Sequence, residues 1–413
     1  MTSTVRRWLI MTVLAFSGGI IFLLPFLFEV YYRTVADALG LTNTEMGVLF
    51  SAFGVTSMIA YFPGGWLADR LSPRKLMTSS LILTGLAGLW FATLPAYEIV
   101  VAIHIFWGAA ISLLFWGAMI RVTRNWAPPD EQGRAFGILE GMRGIGEAST
   151  HTGLLMLFAW LGSTEKALTV VITNLSLIII SLGVISWFVI EDKVGDEEAE
   201  SANNKIGLRD IVTVLKMPVI WLISIVVLCA YSAYWGSFTF TPYATDVFLM
   251  SAAVAGAISI GRMWLKPVGA LISGFVADSF GISISVSVLF AILIASFTGF
   301  ALISADPNLI VIVLVNVAIA AMAVFALRGI YFALLEEGGI PLALTGTAGG
   351  IVSLIGFTPD VFMPLYFGII TDTFPGAEGY RYFFLTVAGI CALGLLAALI
   401  IYFKYVKVRQ VEK

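Results

Sequence analysis

The sequence predicts an all-α membrane protein of twelve transmembrane helices, arranged as two pseudo-symmetric six-helix bundles. Three observations carry this. Hydrophobic residues fill 59% of the 413 positions and charged residues 12%, with a mean hydropathy of +0.97, far from the balance of water-soluble domains. Twelve apolar runs approach the ~20 residues that a bilayer-spanning helix needs. A short polar stretch between two of these runs then recurs: Gly65 and Asp69 return as Gly274 and Asp278, 209 positions later. A repeat of this size implies two homologous bundles, the way secondary transporters are built.

The runs fall at 8–30, 46–67, 76–94, 99–123, 134–160, 166–190, 218–243, 250–275, 282–303, 308–331, 343–371 and 380–404. An outer-membrane barrel would show short alternating segments instead. With both termini in the cytoplasm, the external loops hold only Arg33, Lys166 and Arg381, while fifteen lysines and arginines fall in internal loops and ends. The positive-inside rule therefore predicts a multi-pass protein with cytoplasmic termini. The first run has a basic flank like that of a signal sequence. Its length and the lack of a small-residue cleavage site predict that it is retained.

Residues 191–217 form the one long polar segment. Its acidic part reads as a solvated linker between an N-terminal bundle, 1–190, and a C-terminal bundle, 218–413. Ile206, Ile211, Val212 and Leu215 have the spacing of an amphipathic surface helix. Cys229 and Cys391 both lie in apolar runs, so neither a disulfide framework nor a metal motif can be built from them. No cofactor is implied. The net charge of −3 and the lack of a basic aromatic stripe argue against a nucleic-acid partner. No nucleophile–base pair or phosphate loop marks an enzyme.

The stretch Gly65-Trp66-Leu67-Ala68-Asp69-Arg70-Leu71-Ser72-Pro73-Arg74-Lys75 resembles the loop between the second and third helices of the major facilitator superfamily, Gly-x-x-x-Asp-Arg-x-Gly-Arg-Arg/Lys. Gly65, Asp69, Arg70, Arg74 and Lys75 match that pattern. Ser72 and Pro73 depart from it, and the second copy keeps Asp278 and Gly281 without the cations. The resemblance implies the two-bundle fold, rocker-switch alternating access, a monomer, and a cytoplasmic gating role for Asp69, Arg70 and Asp278. In the second half, Arg328-Gly329-Ile330-Tyr331-Phe332 and Thr345-Gly346-Thr347-Ala348 onward resemble a bacterial, anion-carrier-like branch, which implies the inner (plasma) membrane. Helix 4 carries Ile103 to Ala110, similar to a degraded Arg-x-x-Gln-Gly motif with His104 for Arg and Trp107 for Gln. Proton-coupled exporters often rely on that Arg, so its loss weakens an exporter reading. His104 is then either a packing residue or a proton carrier.

The charges inside the membrane carry the chemistry. Glu140, Arg143, Glu147 and His151 are spaced three, four and four apart in helix 5, which puts them on one helix face. Such a stripe cannot face lipid. Glu140 and Arg143 read as a salt-bridge ladder, with Arg143 also a candidate substrate contact. Glu147 and His151 lie deeper and are candidates for proton coupling. In helix 8, Arg262 and Lys266 are one turn apart on one face. Like charges at that spacing repel unless anions are near; Glu147, Asp360 or an anionic substrate would serve. Several anion carriers of the resembled superfamily have an Arg comparable to Arg262. Nitrate carriers also have one at the symmetric position of helix 2, where this chain has Phe53, which disfavours nitrate.

Helix 11 holds Gly346, Gly349, Gly350, Gly356, Pro359, Asp360 and Pro364, a composition that invites bending. Asp360 is a partner for Lys266, a second proton site, or a static salt bridge. Arg121 and Arg328, near the inner ends of helices 4 and 10, either snorkel and pair with nearby carboxylates or touch substrate; both roles suit an inner gate. Helix 7 carries Tyr231, Tyr234, Trp235 and Phe238, a stripe that serves packing or binding. The resembled fold lines its cavity with helices 1, 4, 7 and 10, which favours Tyr234 and Trp235 as substrate contacts. Glu29 reads as a gate or salt-bridge residue with Arg33.

Together these predict proton-coupled import of a small organic anion: a sugar acid, sugar phosphate, sulfonate or carboxylate. Arg262 and Lys266 would neutralise it, while Glu147, with His151 or Asp360, would carry protons. The alternatives are a carrier of a neutral sugar or nucleoside whose buried charges are structural, an exporter, or a nutrient sensor that binds without turnover. The exporter ranks lower because no proline lies between Gly141 and Gly153.

Overall fold

The computed structural model describes residues 3–126, 132–190, 208–304, 306–341 and 344–407. Every regular element among them is helical. The chain forms two compact units, Met1–Gly195 with Met250–Trp264, and Asp196–Leu249 with Leu265–Lys413. Of the polar segment, the described part includes a short helix, Leu208–Leu215.

Among the described residues, eight helical segments are long and apolar enough to cross a membrane: Val5–Leu39, Tyr97–Trp126, Glu165–Val189, Pro218–Asp246, Ile282–Leu302, Ile310–Glu337, Ala348–Thr373 and Ala377–Val406. Four more helices, Asn43–Arg70, Pro73–Phe91, Gln132–Trp160 and Ala252–Phe280, have 28, 19, 29 and 29 residues. The repeat is visible in their bounds. Moved by 209 positions, Asn43–Arg70 falls on 252–279, beside Ala252–Phe280; Pro73–Phe91 falls on 282–300, beside Ile282–Leu302.

Local chemistry sets these bounds. Thr42 and Glu45 form a capping box: the Thr42 hydroxyl accepts the Glu45 N–H at 3.2 Å, and the Glu45 carboxylate accepts the Thr42 N–H at 2.9 Å. Ser72 accepts the Lys75 N–H at 3.2 Å with Pro73 at the first helical position. The two residues that depart from the resembled loop pattern thus start the next helix.

Three apolar runs are broken, each at a proline. Proline lacks an N–H and crowds the carbonyl four residues earlier. The first helix stops at Ile20 and resumes at Phe28, with Pro25 between them. Pro218–Phe238 gives way to Phe240–Asp246, which contains Pro242. Thr345–Gly356 ends before Pro359 opens Pro359–Thr373.

In the first unit, the segment Tyr97–Trp126 turns π-helical over Ile111–Trp116, a form that recurs at functional sites. It lies against Gly64 of Asn43–Arg70: a Cβ there would meet the Ser112 carbonyl oxygen and come within 3.0 Å of the Leu113 Cα. Small residues at such crossings let helices approach in a bilayer. Replacing Gly64 with Val is expected to cost about 1–3 kcal/mol by overpacking, seen as a lower melting temperature in detergent.

In the second unit, Phe290, Phe297, Phe300 and Phe384 are buried. Phe384 packs edge-to-face with Tyr243 at 5.1 Å, whose hydroxyl reaches the Phe300 carbonyl at 3.3 Å. The Glu337 carboxylate crosses to the start of Ile282–Leu302, accepting the Ile282 N–H at 2.7 Å, the Ser283 N–H at 2.8 Å and the Ser283 hydroxyl. A carboxylate on these unmet donors also matches the helix dipole. Glu337→Ala is therefore expected to destabilise the protein by about 1–2 kcal/mol, with Glu337→Gln intermediate in the same melting measurement.

Candidate functional site

In the second unit, the helix Pro218–Phe238 places Tyr231, Tyr234 and Trp235 on one face, by spacings of three and four. Arg328, in the last turn of Ile310–Ile330, lays its guanidinium 3.9 Å from the centroid of Tyr234 and 5.5 Å from that of Tyr231. Its Nη1 is buried without a hydrogen-bond partner. Asp360 follows Pro359 at the start of Pro359–Thr373, where the positive helix end favours a carboxylate. Its Oδ1 accepts the Trp235 indole N–H at 2.8 Å and its Oδ2 the Tyr231 hydroxyl at 3.4 Å.

Tyr231 therefore serves both charges, its ring to Arg328 and its hydroxyl to Asp360. Among the described residues, no ion pair joins Arg328 and Asp360. Phe357 packs 4.8 Å from Tyr231, and Phe325 lies 6.2 Å from Tyr234. The break before Pro359 thus presents a carboxylate, and the aromatic helix face orients it. The result is a cation and an anion on one aromatic shelf.

In the first unit, Arg262 and Glu29 form an ion pair, 2% and 5% exposed. It ties Met250–Trp264 to the helix Phe28–Leu39, and Trp264 adds an indole bond to the Thr152 hydroxyl at 3.3 Å. Arg33 stands over the Tyr32 ring, 6.0 Å away. Arg262 meets Glu29, a partner not foreseen for it, and Asp360 meets Trp235 and Tyr231. Both pairings follow helix breaks. Restarting at Phe28 sets the register of Glu29, and restarting at Pro359 sets that of Asp360. Lys266 is half-buried one turn beyond Arg262 on Ala252–Phe280.

Arg143 pairs with Glu140 and stands 5.3 Å over Trp116 and 6.0 Å over Phe22. A Cβ on Gly19 would meet the Arg143 carbonyl oxygen, so this glycine admits the helix that carries the stripe. His151 is buried and Glu147 half-buried one turn before it. His104 is fully buried and stacks on Phe28 at 5.4 Å, with Trp107 edge-on at 4.9 Å. Its Nδ1–H donates to the Val100 carbonyl at 2.8 Å.

Arg121 donates to the Ala68 carbonyl at 2.6 Å and the Leu71 carbonyl at 3.4 Å, closing the end of Asn43–Arg70 next to the recurring loop. Arg70 is exposed over Trp66, 4.1 Å from its ring. The side chains of Asp69 and Asp278 lie outside the described residues, as does the turn 127–131.

A duplicated all-helical chain with paired charges inside long apolar helices is the architecture of a secondary transporter. The sequence matches the Major Facilitator Superfamily over residues 7–358, and the chain belongs to it: it is a transporter of that superfamily. It is similar to two inner membrane proteins of Escherichia coli (strain K12). YqcE is 31% identical over 401 residues, covering 95% of this chain and 93% of that protein. YihN is 30% identical over 392 residues, covering 92% of each. A shorter match, 33% identical over 109 residues, covers 25% of this chain and 24% of the probable galactarate/D-glucarate transporter GudP of Bacillus subtilis (strain 168). Among solved structures, a bacterial homolog to the human lysosomal transporter Spinster superposes with a TM-score of 0.79 at 13% identity, covering 97% of this chain and 98% of that one, a likeness of fold.

Proposed function

We propose that the protein carries a small organic anion across the inner membrane by alternating access, in symport with protons, through twelve spans with both termini in the cytoplasm. The observation that carries this is Arg328, a guanidinium on a tyrosine shelf with a buried, unpartnered Nη1. An unmet charged donor at this depth is costly, and a carboxylate, sulfonate or phosphate satisfies it with strong, two-pronged bonds. Arg262 is held by Glu29, so the anion is assigned to Arg328. Asp360 is the proton site, joined by Glu147 and His151. His104, locked in an aromatic stack, packs the bundle. Arg70, Arg121, Asp69 and Asp278 form the cytoplasmic gate. The anionic substrate named for GudP is in keeping with this reading.

A second reading, a carrier of a neutral sugar, draws on the same structure. The ion pairs Glu29–Arg262 and Glu140–Arg143 are what a bundle with purely structural charges would show. Thermal stabilisation of the purified protein separates the two, because a ligand stabilises the state it binds by mass action. Each organic acid is paired with its neutral analogue. Stabilisation by acids alone is expected; stabilisation by the neutral partners alone would favour the second reading.

A further inference from the structure

We infer that the shelf in the second unit takes a polyhydroxylated acid, its anionic group on Arg328 and adjacent hydroxyls on Asp360. This rests on the anion-carrier reading and narrows its substrate class.

The shelf has two ends of opposite polarity. Arg328 offers an unpartnered N–H, which requires an acceptor and favours an anion. Asp360 already takes one donor on each oxygen, Trp235 at 2.8 Å and Tyr231 at 3.4 Å. A carboxylate has about four acceptor positions, so one remains on each oxygen. Two fixed donors hold its plane, and the free positions suit two neighbouring O–H groups, one per oxygen; when Asp360 takes up the coupling proton, its own O–H occupies one position and donates to the adjacent hydroxyl oxygen.

A simple fatty acid fills only the Arg328 end. Its apolar tail would lie against the Asp360 carboxylate, which buries charge without return. A neutral polyol meets the Asp360 end and offers the Nη1 only a neutral hydroxyl acceptor, about half the strength of a charge-assisted bond. An amino acid also fills both ends, but its ammonium brings three N–H donors to the two acceptor positions that remain on Asp360, whereas two hydroxyls use one position each. The half-buried rings of Tyr231 and Tyr234 add apolar surface beside the two charges, suited to the C–H side of a hydroxylated chain. The chemistry selected is an anionic group with at least two hydroxyls a few bonds away.

The test measures equilibrium binding to the full-length protein in detergent, using five probes: D-gluconate and D-galactonate, hexanoate, sorbitol and norleucine. At least one sugar acid should bind about tenfold or more tighter than hexanoate and norleucine. Arg328→Gln should weaken that binding about tenfold or more, and Asp360→Asn should bring the sugar acid to within about threefold of hexanoate. If Arg328→Gln does not fold, Arg328→Lys retains the charge, and loss of the two-pronged grip should still weaken binding several-fold. Binding of hexanoate or norleucine as tight as that of the sugar acids, and lost with Arg328, would overturn this assignment and leave the anion-carrier reading intact. Sugar-acid binding indifferent to Arg328 would likewise overturn the site alone. Binding of sorbitol only, or of no probe, counts against the polyhydroxylated acid; sorbitol binding that survives Arg328→Gln sinks the anion reading with it.

Discussion

Glu29→Ala is expected to destabilise the protein by about 3–5 kcal/mol, because it takes an ion-pair partner from the buried Arg262 guanidinium. Arg262→Met should cost a similar amount by stranding Glu29. The double variant Glu29→Met/Arg262→Met should recover most of the loss, since a buried pair replaced by packed apolar side chains is often neutral. Melting temperatures in detergent measure all three. Single variants that melt with the wild type would mean that the pair is solvated or transient. The double variant has a second use. If the anion is held by Arg328, it keeps its anion affinity; if Arg262 is the anchor, affinity disappears with the pair.

Arg328→Gln is the second large effect, and its signature is opposite. Arg328 has aromatic neighbours, side-chain hydrogen bonds to Tyr234 and Tyr331, and no ion pair among the described residues, so its loss should cost stability about 1–3 kcal/mol, less than the loss of Glu29. Anion affinity should fall about 10- to 100-fold, the worth of charge-assisted hydrogen bonds. Scintillation proximity binding beside a melting curve separates the two. A large fall in melting temperature with unchanged affinity would make Arg328 a structural residue. Asp360→Asn complements it: the side chain still accepts one bond from the Trp235–Tyr231 pair, but the acid proton is gone. Exchange of internal for external anion should persist while acceleration by an inward proton gradient disappears.

Much of the fold was legible because it rests on composition and period. The 209-residue echo of Gly65 and Asp69 in Gly274 and Asp278 corresponds to helices whose starts match one for one. The prolines were equally visible, and bending was expected at Gly356 and Pro359. At Pro25 and Pro242 the apolar run masked the break, because hydropathy does not register a missing N–H. That omission decided the pairings. Glu29 was read with its sequence neighbour Arg33, but the restart at Phe28 presents it to Arg262, 233 positions away.

Candidate residues were legible as chemistry and not as partners. Tyr231, Tyr234 and Trp235 stood out as a stripe, Arg328 as a helix-end cation and Asp360 as an intramembrane acid. That Tyr231 binds one charge with its ring and the other with its hydroxyl depends on the contacts among three helices far apart in sequence. Glu337 shows the same limit: an acidic pair before Gly338 gives no hint that one carboxylate caps a helix 55 residues earlier.

The most direct test of anion–proton symport is internal pH in proteoliposomes. The purified protein is reconstituted with a trapped pH dye, and an organic acid that stabilises it is added outside without any imposed gradient. Symport predicts internal acidification that begins on addition, saturates with the acid and is absent in Asp360→Asn. Uptake of labelled acid with no pH change, or acidification that the variant retains in full, would contradict it.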